Sequence, residues 1–282
     1  MPSATIFMKL IDLRNELKRV YNQHGKDGAD IDFIVSELLG VSRTELPLIK
    51  EITSRQGKEI RHYAKKRMNS EIPIDKLFKK SYFYGLEFFV DKNVLSPRQD
   101  SEILVDTAIK FIKENQCKNV LDLCTGSGCL AIAIKKNCDI DMTASDLSKP
   151  ALKIAKANAK RNSTDIKFIL SDLFDKIESG FDLIVSNPPY IARDEIKTLS
   201  REVKDYDPLL ALDGGVDGLD FYRRIAIDAI DHLTDRGAVI LEIGYNQRQD
   251  IISIFKDYEL LQVVPDLNGI DRVLVFKRSR RC

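Results

Sequence analysis

The chain has 282 residues, 44% hydrophobic and 31% charged, with a formal net charge of +1, the make-up of a globular protein with a real core. No apolar run approaches the ~20 residues of a membrane span. The N-terminus alternates apolar and charged residues instead of forming a signal-peptide core, so a cytoplasmic location is expected. Five cysteines without a CxxC pair and three scattered histidines argue against a zinc site and a disulfide framework, and no metal is expected.

Residues 1–78 read as a small helical bundle. Leu10, Leu13, Leu17 and Val20 fall on one helical face. "DIDFIVSELLG" has a start signal in Asp30 or Asp32 and a stop at Gly40. Ser42 to Glu45 has the Ser-x-x-Glu pattern of a capping box, and a basic helix runs roughly from Ser54 to Met68. Between Lys50 and Arg67 there are seven Lys or Arg against two Glu, and the tail "KRSRR" is wholly basic. A solvated helical face is the default reading of such runs. Residues 79–98 change texture: "SYFYGLEFFVDKNVL" is aromatic and β-branched around Gly85, as in a hairpin linking two domains.

From residue 99 onward strands and helices alternate. "DSEILVDTAIKFIKEN" is an amphipathic helix, "KNVLDLC" a buried strand and "GCLAIAIKKN" a helix. "IDMTASD" is a strand, followed by a helix capped by Ser148 with Pro150 in its first turn. "IKFILSD" and "FDLIVSN" are two more strands. A helix from about Leu219 to Leu233 precedes the strand "AVILEIG", and one more helix leads to the closing pair "YELLQVVPD" and "DRVLVFK". Such alternation means an α/β domain, a parallel sheet covered on both faces.

"DLCTGSGCLA", Asp122 to Ala131, sits where the first of these strands hands over to a helix. Gly126 and Gly128 let the backbone turn tightly and approach a ligand, with Thr125 and Ser127 between and beside them. The next strand ends at Asp146-Leu147, 18 residues past Gly128, where a carboxylate can grip the two hydroxyls of a ribose. Asp172 and Leu173 close the third strand, where a polar group meets an adenine amino group. Ligands of open α/β sheets bind beyond the strand C-termini near the topological switch, so these residues line one crevice. A dinucleotide needs a helix N-terminus facing its pyrophosphate; S-adenosylmethionine has no phosphate and needs a carboxylate near the start of the loop, as at Asp122. Both cofactors remain open on the first three strands.

The fourth strand ends in Asn187-Pro188-Pro189-Tyr190. With the glycine loop, this resembles the class I S-adenosylmethionine-dependent methyltransferases, and Asn-Pro-Pro-Tyr is similar to the motif of those that methylate a planar nitrogen. An amide nitrogen is a poor nucleophile because its lone pair is delocalised into the carbonyl. A site must bind both amide hydrogens with acceptors, for which the Asn187 side-chain oxygen and the Pro188 carbonyl are candidates. The prolines fix φ and leave no N–H to satisfy, and Tyr190 offers a ring to stack on a flat group. Catalysis is then alignment and electrostatics. In the bland alternative, Pro-Pro only stops an apolar strand and Tyr190 packs.

Over nearly its whole length the chain also resembles the release-factor glutamine methyltransferase family. "NVLSPRQDSEILV", with Pro97, Arg98 and Glu102, is similar to that family's segment before the first core strand. "EVKDYDPLLALDGGVDGLDFYRRI" is similar to the segment after Asn-Pro-Pro-Tyr, and "LEIGYNQ" and "GIDRVLVFK" to the last strands. The resemblance implies a seven-stranded methyltransferase sheet with a helical domain that helps dock the substrate. The implied substrate is the glutamine of the Gly-Gly-Gln tripeptide in peptide chain release factors. It further implies S-adenosylmethionine as cofactor, held by Asp122, Cys124, Thr125, Gly126, Ser127, Gly128, Asp146, Leu147, Asp172, Leu173 and Asn187. Cys124 replaces the loop's first glycine, which requires a φ below zero there. A monomer with no stable nucleic-acid partner is expected. The rivals are a ribosomal-protein glutamine methyltransferase and an adenine-N6 or guanine-N2 nucleic-acid methyltransferase, which needs a basic surface. A catalytically dead adaptor and a nicotinamide dehydrogenase fit the motifs least.

Overall fold

The computed structural model describes residues 7–177 and 180–279; the end of the basic tail, residues 280–282, lies outside them. The chain divides into two compact units, Met1–Phe78 and Lys79–Cys282.

The first unit opens with strand β1 (Phe7–Lys9) and helices α1 (Leu10–Gln23) and α2 (Ala29–Leu39). A 3-10 turn at Leu46–Leu48 leads to β2 (Glu51–Thr53), α3 (Ser54–Asn69) and α4 (Ile74–Phe78). β1 and β2 pair antiparallel, a ribbon that the expectation of helices alone misses. Two three-residue strands are too short to display period-two alternation. Leu10, Leu13 and Leu17 are buried as expected, but Val20 is half-exposed and Tyr21 takes the last core position. Its hydroxyl donates to the Ala64 carbonyl at 2.7 Å. Asp30 and Asp32 do not cap α2; Asp27 accepts from the Ala29 N–H instead. Asp32 binds Arg14 and Lys18 of α1, and Asp30 binds Arg67 of α3, so both carboxylates tie helices together. Gly40 does end α2, at φ 67°. Ser42 and Glu45 make half of a capping box: Glu45 accepts from the Ser42 N–H and hydroxyl, but a 3-10 turn through Pro47 follows rather than an α-helix. The complete box is Thr53–Gln56 at the start of α3, where each side chain satisfies the other residue's backbone N–H.

The second unit begins with the hairpin β3 (Lys80–Phe83) and β4 (Leu86–Phe89). Tyr84 and Gly85 turn it with positive φ at both positions, 51° and 71°, the hand that matches strand twist. Glu102 accepts from the Tyr84 N–H at 2.7 Å and so joins hairpin to helix. A 3-10 turn at Gln99–Ser101 precedes α5 (Glu102–Asn115), β5 (Asn119–Leu123), α6 (Cys129–Asn137), β6 (Asp141–Asp146), α7 (Lys149–Arg161) and β7 (Lys167–Leu170). Then come β8 (Phe181–Ser186), the short α8 (Arg193–Ile196) and α9 (Arg201–Lys204), α10 (Asp220–His232), β9 (Leu233–Glu242), α11 (Arg248–Ile254), β10 (Tyr258–Pro265) and β11 (Asp271–Arg278). Ser148 caps α7 through the Ala151 N–H, with Pro150 in the first turn, as the sequence predicts. The third strand stops at Leu170, so Asp172 and Leu173 stand in the turn beyond it rather than closing it.

Seven strands form one sheet in the order β10-β11-β9-β8-β5-β6-β7. The five from β9 to β7 run parallel, and β11 is antiparallel to β9 and β10. Alternate side chains feed two cores. Val120, Leu183, Val185 and Ile240 face α5 and α6; Leu121, Ile184, Val239 and Leu241 face α10 and α11. Strands buried on both faces read as continuous apolar runs, because both parities must be apolar. The sheet grows one way from β5 to β6 and β7, then returns to add β8 and β9 on the other side. The switch therefore lies between β5 and β8, where a crevice opens at the strand C-termini. Among the described residues no helix is long and apolar enough to cross a membrane, and no group of three or more His, Cys, Asp or Glu is placed to hold a metal ion.

Candidate active site

A cleft lies at this switch, the place where ligands of open α/β sheets bind. The structure brings Cys124, Thr125, Gly126, Ser127, Asp146, Leu147, Asp172, Leu173, Asn187 and Pro189 to its wall. Asp122, Gly128, Pro188 and Tyr190 are not among the residues that line it. The wall also includes Arg98, Ser101, Leu210 and Phe221, which motif reading does not single out for ligand contact because they come from segments far apart in sequence.

The glycine loop is built on two carboxylates. Asp122, at the end of β5, is fully buried; Oδ2 accepts from the Thr125 hydroxyl at 2.6 Å and the Ala131 N–H at 3.3 Å. Its Oδ1 has no hydrogen-bond partner among the described residues, and burial pushes the carboxyl up to about 7. Asp146, at the end of β6, accepts from the Gly126 N–H and the Ser148 N–H, both at 2.8 Å. Burial raises its carboxyl too, opposed by those two bonds. One side chain thus ties the loop after β5 to the turn before α7. Gly128, at φ 82°, sits where a Cβ would press on Ala155 and Ile132 at 3.1 and 3.2 Å, which explains glycine there on both counts.

Cys124 corrects the expectation of a negative φ: it stands at 59°, and Leu173 at 44°. Non-glycine residues in this region are uncommon, and such backbone persists where the surroundings over-determine it. Ser145 C=O accepts from the Thr125 N–H at 3.0 Å and so holds the loop in that form. A rule that glycine alone turns the loop fails because tertiary bonds fix the conformation.

The Ala131 N–H at the start of α6 is engaged by Asp122, so this helix end already carries a carboxylate and is not free to face a pyrophosphate. An orphaned buried carboxylate oxygen beside the loop suits a ligand bearing an ammonium group, and Asp146 is placed for vicinal hydroxyls. The residues present fit S-adenosylmethionine better than a dinucleotide. Asp172 Oδ1 accepts from Arg224 at 2.8 Å, so Asp172 reaches the cavity with one oxygen already engaged.

The Asn187-Pro188-Pro189-Tyr190 loop leaves β8 directly opposite the glycine loop. Pro188 and Pro189 are buried. Behind them, Gln247 Nε2 donates to the Tyr190 carbonyl at 2.8 Å, and Ile191 exchanges backbone bonds with Leu212 and Gly214. Burial raises the Tyr190 phenol to about 12, and its ring packs beside the α10 and α11 core. Asn187 Nδ2 donates to Ser101 Oγ at 3.3 Å. Gly218, at φ 78°, lies so close that a Cβ would collide with the Tyr190 carbonyl oxygen and stand 2.8 Å from Gln247 Nε2. Gly218→Ala is therefore expected to cost about 1–3 kcal/mol and to lower methyl transfer while cofactor affinity is kept. A melting curve paired with calorimetric titration of the cofactor checks this; an unmoved melting point and full activity would show that the backing segment does not set the loop.

The methyltransferase small domain family matches residues 92–210. Among solved structures, a methyltransferase from Pyrococcus furiosus superposes with a TM-score of 0.54 at 19% identity, over 76% of this chain and 99% of that one. A ribosomal protein L11 methylase from Lactobacillus delbrueckii subsp. bulgaricus reaches 0.50 at 22% identity, over 65% and 81%. Both speak to the fold alone. A release factor glutamine methyltransferase of Agrobacterium fabrum is 40% identical, across 98% of this chain and 98% of its own. One from Thermodesulfovibrio yellowstonii is 36% identical, across 97% and 99%. Because that identity runs through both compact units rather than the sheet alone, the chain belongs to the release factor glutamine methyltransferase family, enzymes of the class I S-adenosylmethionine-dependent fold.

Proposed function

We infer that this chain transfers a methyl group to the side-chain amide nitrogen of the glutamine in the Gly-Gly-Gln tripeptide of peptide chain release factors. The observation that carries this reading is Asn187, held at the C-terminal end of β8 on the wall of the same cavity as the glycine loop and Asp146. S-adenosylmethionine, when bound, supplies a sulfonium methyl that needs only a correctly aimed nucleophile. Asp146 is suited to the ribose hydroxyls, Asp122 to the ammonium end, and Leu147, Asp172 and Leu173 to the adenine.

The protein's own part is to make an amide nitrogen nucleophilic. Asn187 Oδ1 and the Pro188 carbonyl accept the two hydrogens of the substrate –NH2, and Tyr190 backs the flat group. A nitrogen that took up the methyl group, with the sulfonium leaving as a neutral thioether, would gain positive charge. Fixed acceptors stabilise that charge more in the transition state than in the ground state. The nitrogen then sheds one proton, and a secondary amide remains. Rigidity matters because an acceptor that must reorganise contributes less, and the buried prolines and the Gln247 bond supply it.

The test is incubation with labelled S-adenosylmethionine and, in separate reactions, purified release factor, ribosomal proteins, rRNA and DNA. Label on the release factor glutamine is the expected result. Label confined to ribosomal protein or to nucleic acid would overturn this reading in favour of one of its rivals.

A further inference from the structure

One buried carboxylate has no part in the chemistry above. Glu242, the last residue of β9, lies in the run Val239-Ile240-Leu241-Glu242-Ile243, whose four apolar members are fully buried, and is itself 3% exposed. Its Oε2 has no hydrogen-bond partner among the described residues. An apolar side chain at this position would spare the cost of desolvating a charge, so stability alone gives no reason for a glutamate. Its place in the sheet does. β9 is hydrogen-bonded to β8 with Leu241 opposite Ser186, which brings Glu242 beside Asn187. Ser101 and Asn187 both stand close enough to favour its charged form, and Asn187 Nδ2 donates to Ser101 Oγ at 3.3 Å. Ser101 and Asn187 line the cavity and Glu242 does not.

We propose that Glu242 is a positioning residue for methyl transfer, whose carboxylate selects the orientation of the Asn187 amide and polarises it. This rests on the reading of Asn187 Oδ1 as an acceptor of the substrate amide. An ionised carboxylate accepts and never donates, so it must face the Asn187 –NH2, which turns Oδ1 to the substrate. A chain of hydrogen bonds ending on an anion also makes Oδ1 a stronger acceptor where positive charge develops on the substrate nitrogen. Protonated, the same group can donate to Oδ1 and stabilise the opposite, unproductive orientation.

The groups facing Glu242 come from every side: Arg272 of β11, Asp100 of the 3-10 turn before α5, Tyr190, Tyr222 of α10 and Cys129 of α6. Arg272 is the one cation among them, and it also pairs with Asp266 and Asp100. Burial is the largest influence and pushes the Glu242 carboxyl up to about 7, against the pull of Ser101, Arg272 and Asn187. Activity should therefore rise with pH as Glu242 ionises.

The test is Glu242→Gln, nearly isosteric but able to donate, in the full chain with a release factor substrate. Turnover is followed from about pH 5.5 to about pH 9, with cofactor affinity and melting point measured alongside. Expected is a fall in kcat of at least about tenfold with cofactor Kd and KM for the release factor within about twofold, no loss of melting temperature, and disappearance of the acid limb seen in wild type. Three results would each overturn the proposal: wild-type kcat in the variant, a loss that merely follows the folded fraction or cofactor affinity, or an acid limb that survives the substitution. The last would assign the limb to another buried acid such as Asp122. A wild-type enzyme that labels no release factor sinks the functional reading itself, whereas an active wild type with an unaffected variant sinks only the role of Glu242.

Discussion

Asn187→Ala is expected to slow methyl transfer to the release factor by a hundredfold or more, on the order of the loss seen when one preorganised hydrogen-bonding group is removed from a reacting centre. Cofactor affinity should stay within about threefold, since truncation removes one side-chain contact from a cavity whose other walls come from the glycine loop, Asp146 and Leu173. The size of the effect follows from the substrate. Without an acceptor on the amide hydrogens the nitrogen lone pair stays in conjugation, and no other side chain of the wall is placed at the end of β8 to replace it. The alanine variant keeps the backbone, so the Pro188 carbonyl remains and catalysis should not fall to the uncatalysed rate. Single-turnover transfer at saturating cofactor is the measurement. Wild-type turnover in this variant would refute the acceptor role and return Asn-Pro-Pro-Tyr to the status of a strand stop.

Asp146→Ala should act on the other side of the cavity, weakening S-adenosylmethionine by about a hundredfold. Each hydrogen bond to a charged group contributes roughly 1.5–3 kcal/mol, and a carboxylate can grip both ribose hydroxyls. The same substitution strands the Gly126 and Ser148 N–H groups, which now donate to it at 2.8 Å, so the free protein should also melt lower. That loss is partly offset, because burial already disfavours the ionised Asp146. The two consequences separate in a melting experiment with and without cofactor. Wild type should gain stability on binding, about 2.7 kcal/mol at a ligand concentration near a hundred times Kd, and the variant should gain little at the same concentration. A full ligand-induced shift in the variant would remove Asp146 from the binding site and leave it a purely structural tie.

Much of the architecture was readable because it rests on local rules. Alternation of strands with helices located β5 through β11, although β9 begins at Leu233 rather than Ala238; the central β5, β8 and β9 carry apolar residues on both faces, as buried parallel strands must. Ser148 with Pro150, Gly40, and the hairpin around Gly85 were legible for the same reason: capping and turn chemistry act over three or four residues. The misreadings share a cause. Asp30 and Asp32 look like caps from sequence but are spent on Arg67, Arg14 and Lys18 from other helices. The β1–β2 ribbon joins residues more than forty positions apart, and no local pattern encodes a pairing of that kind. Cys124 adopts a backbone its residue type disfavours because a bond from the Thr125 N–H to Ser145 on the neighbouring strand holds the loop.

The site divides in the same way. The residue types and spacings in "DLCTGSG", at Asp146 and in Asn-Pro-Pro-Tyr determined by themselves the kind of chemistry, because a carboxylate at a strand end and an amide flanked by prolines carry their properties wherever they stand. The strand order decided the rest. Only the return of the chain to place β8 against β5 sets Asn187 across from the glycine loop, and only the next strand over reveals Glu242 beneath it. In sequence Glu242 is one polar letter in an apolar run. In the folded chain it is a buried carboxylate beside the Asn187 amide, and its meaning comes from neighbours 55 and 141 residues away, Asn187 and Ser101.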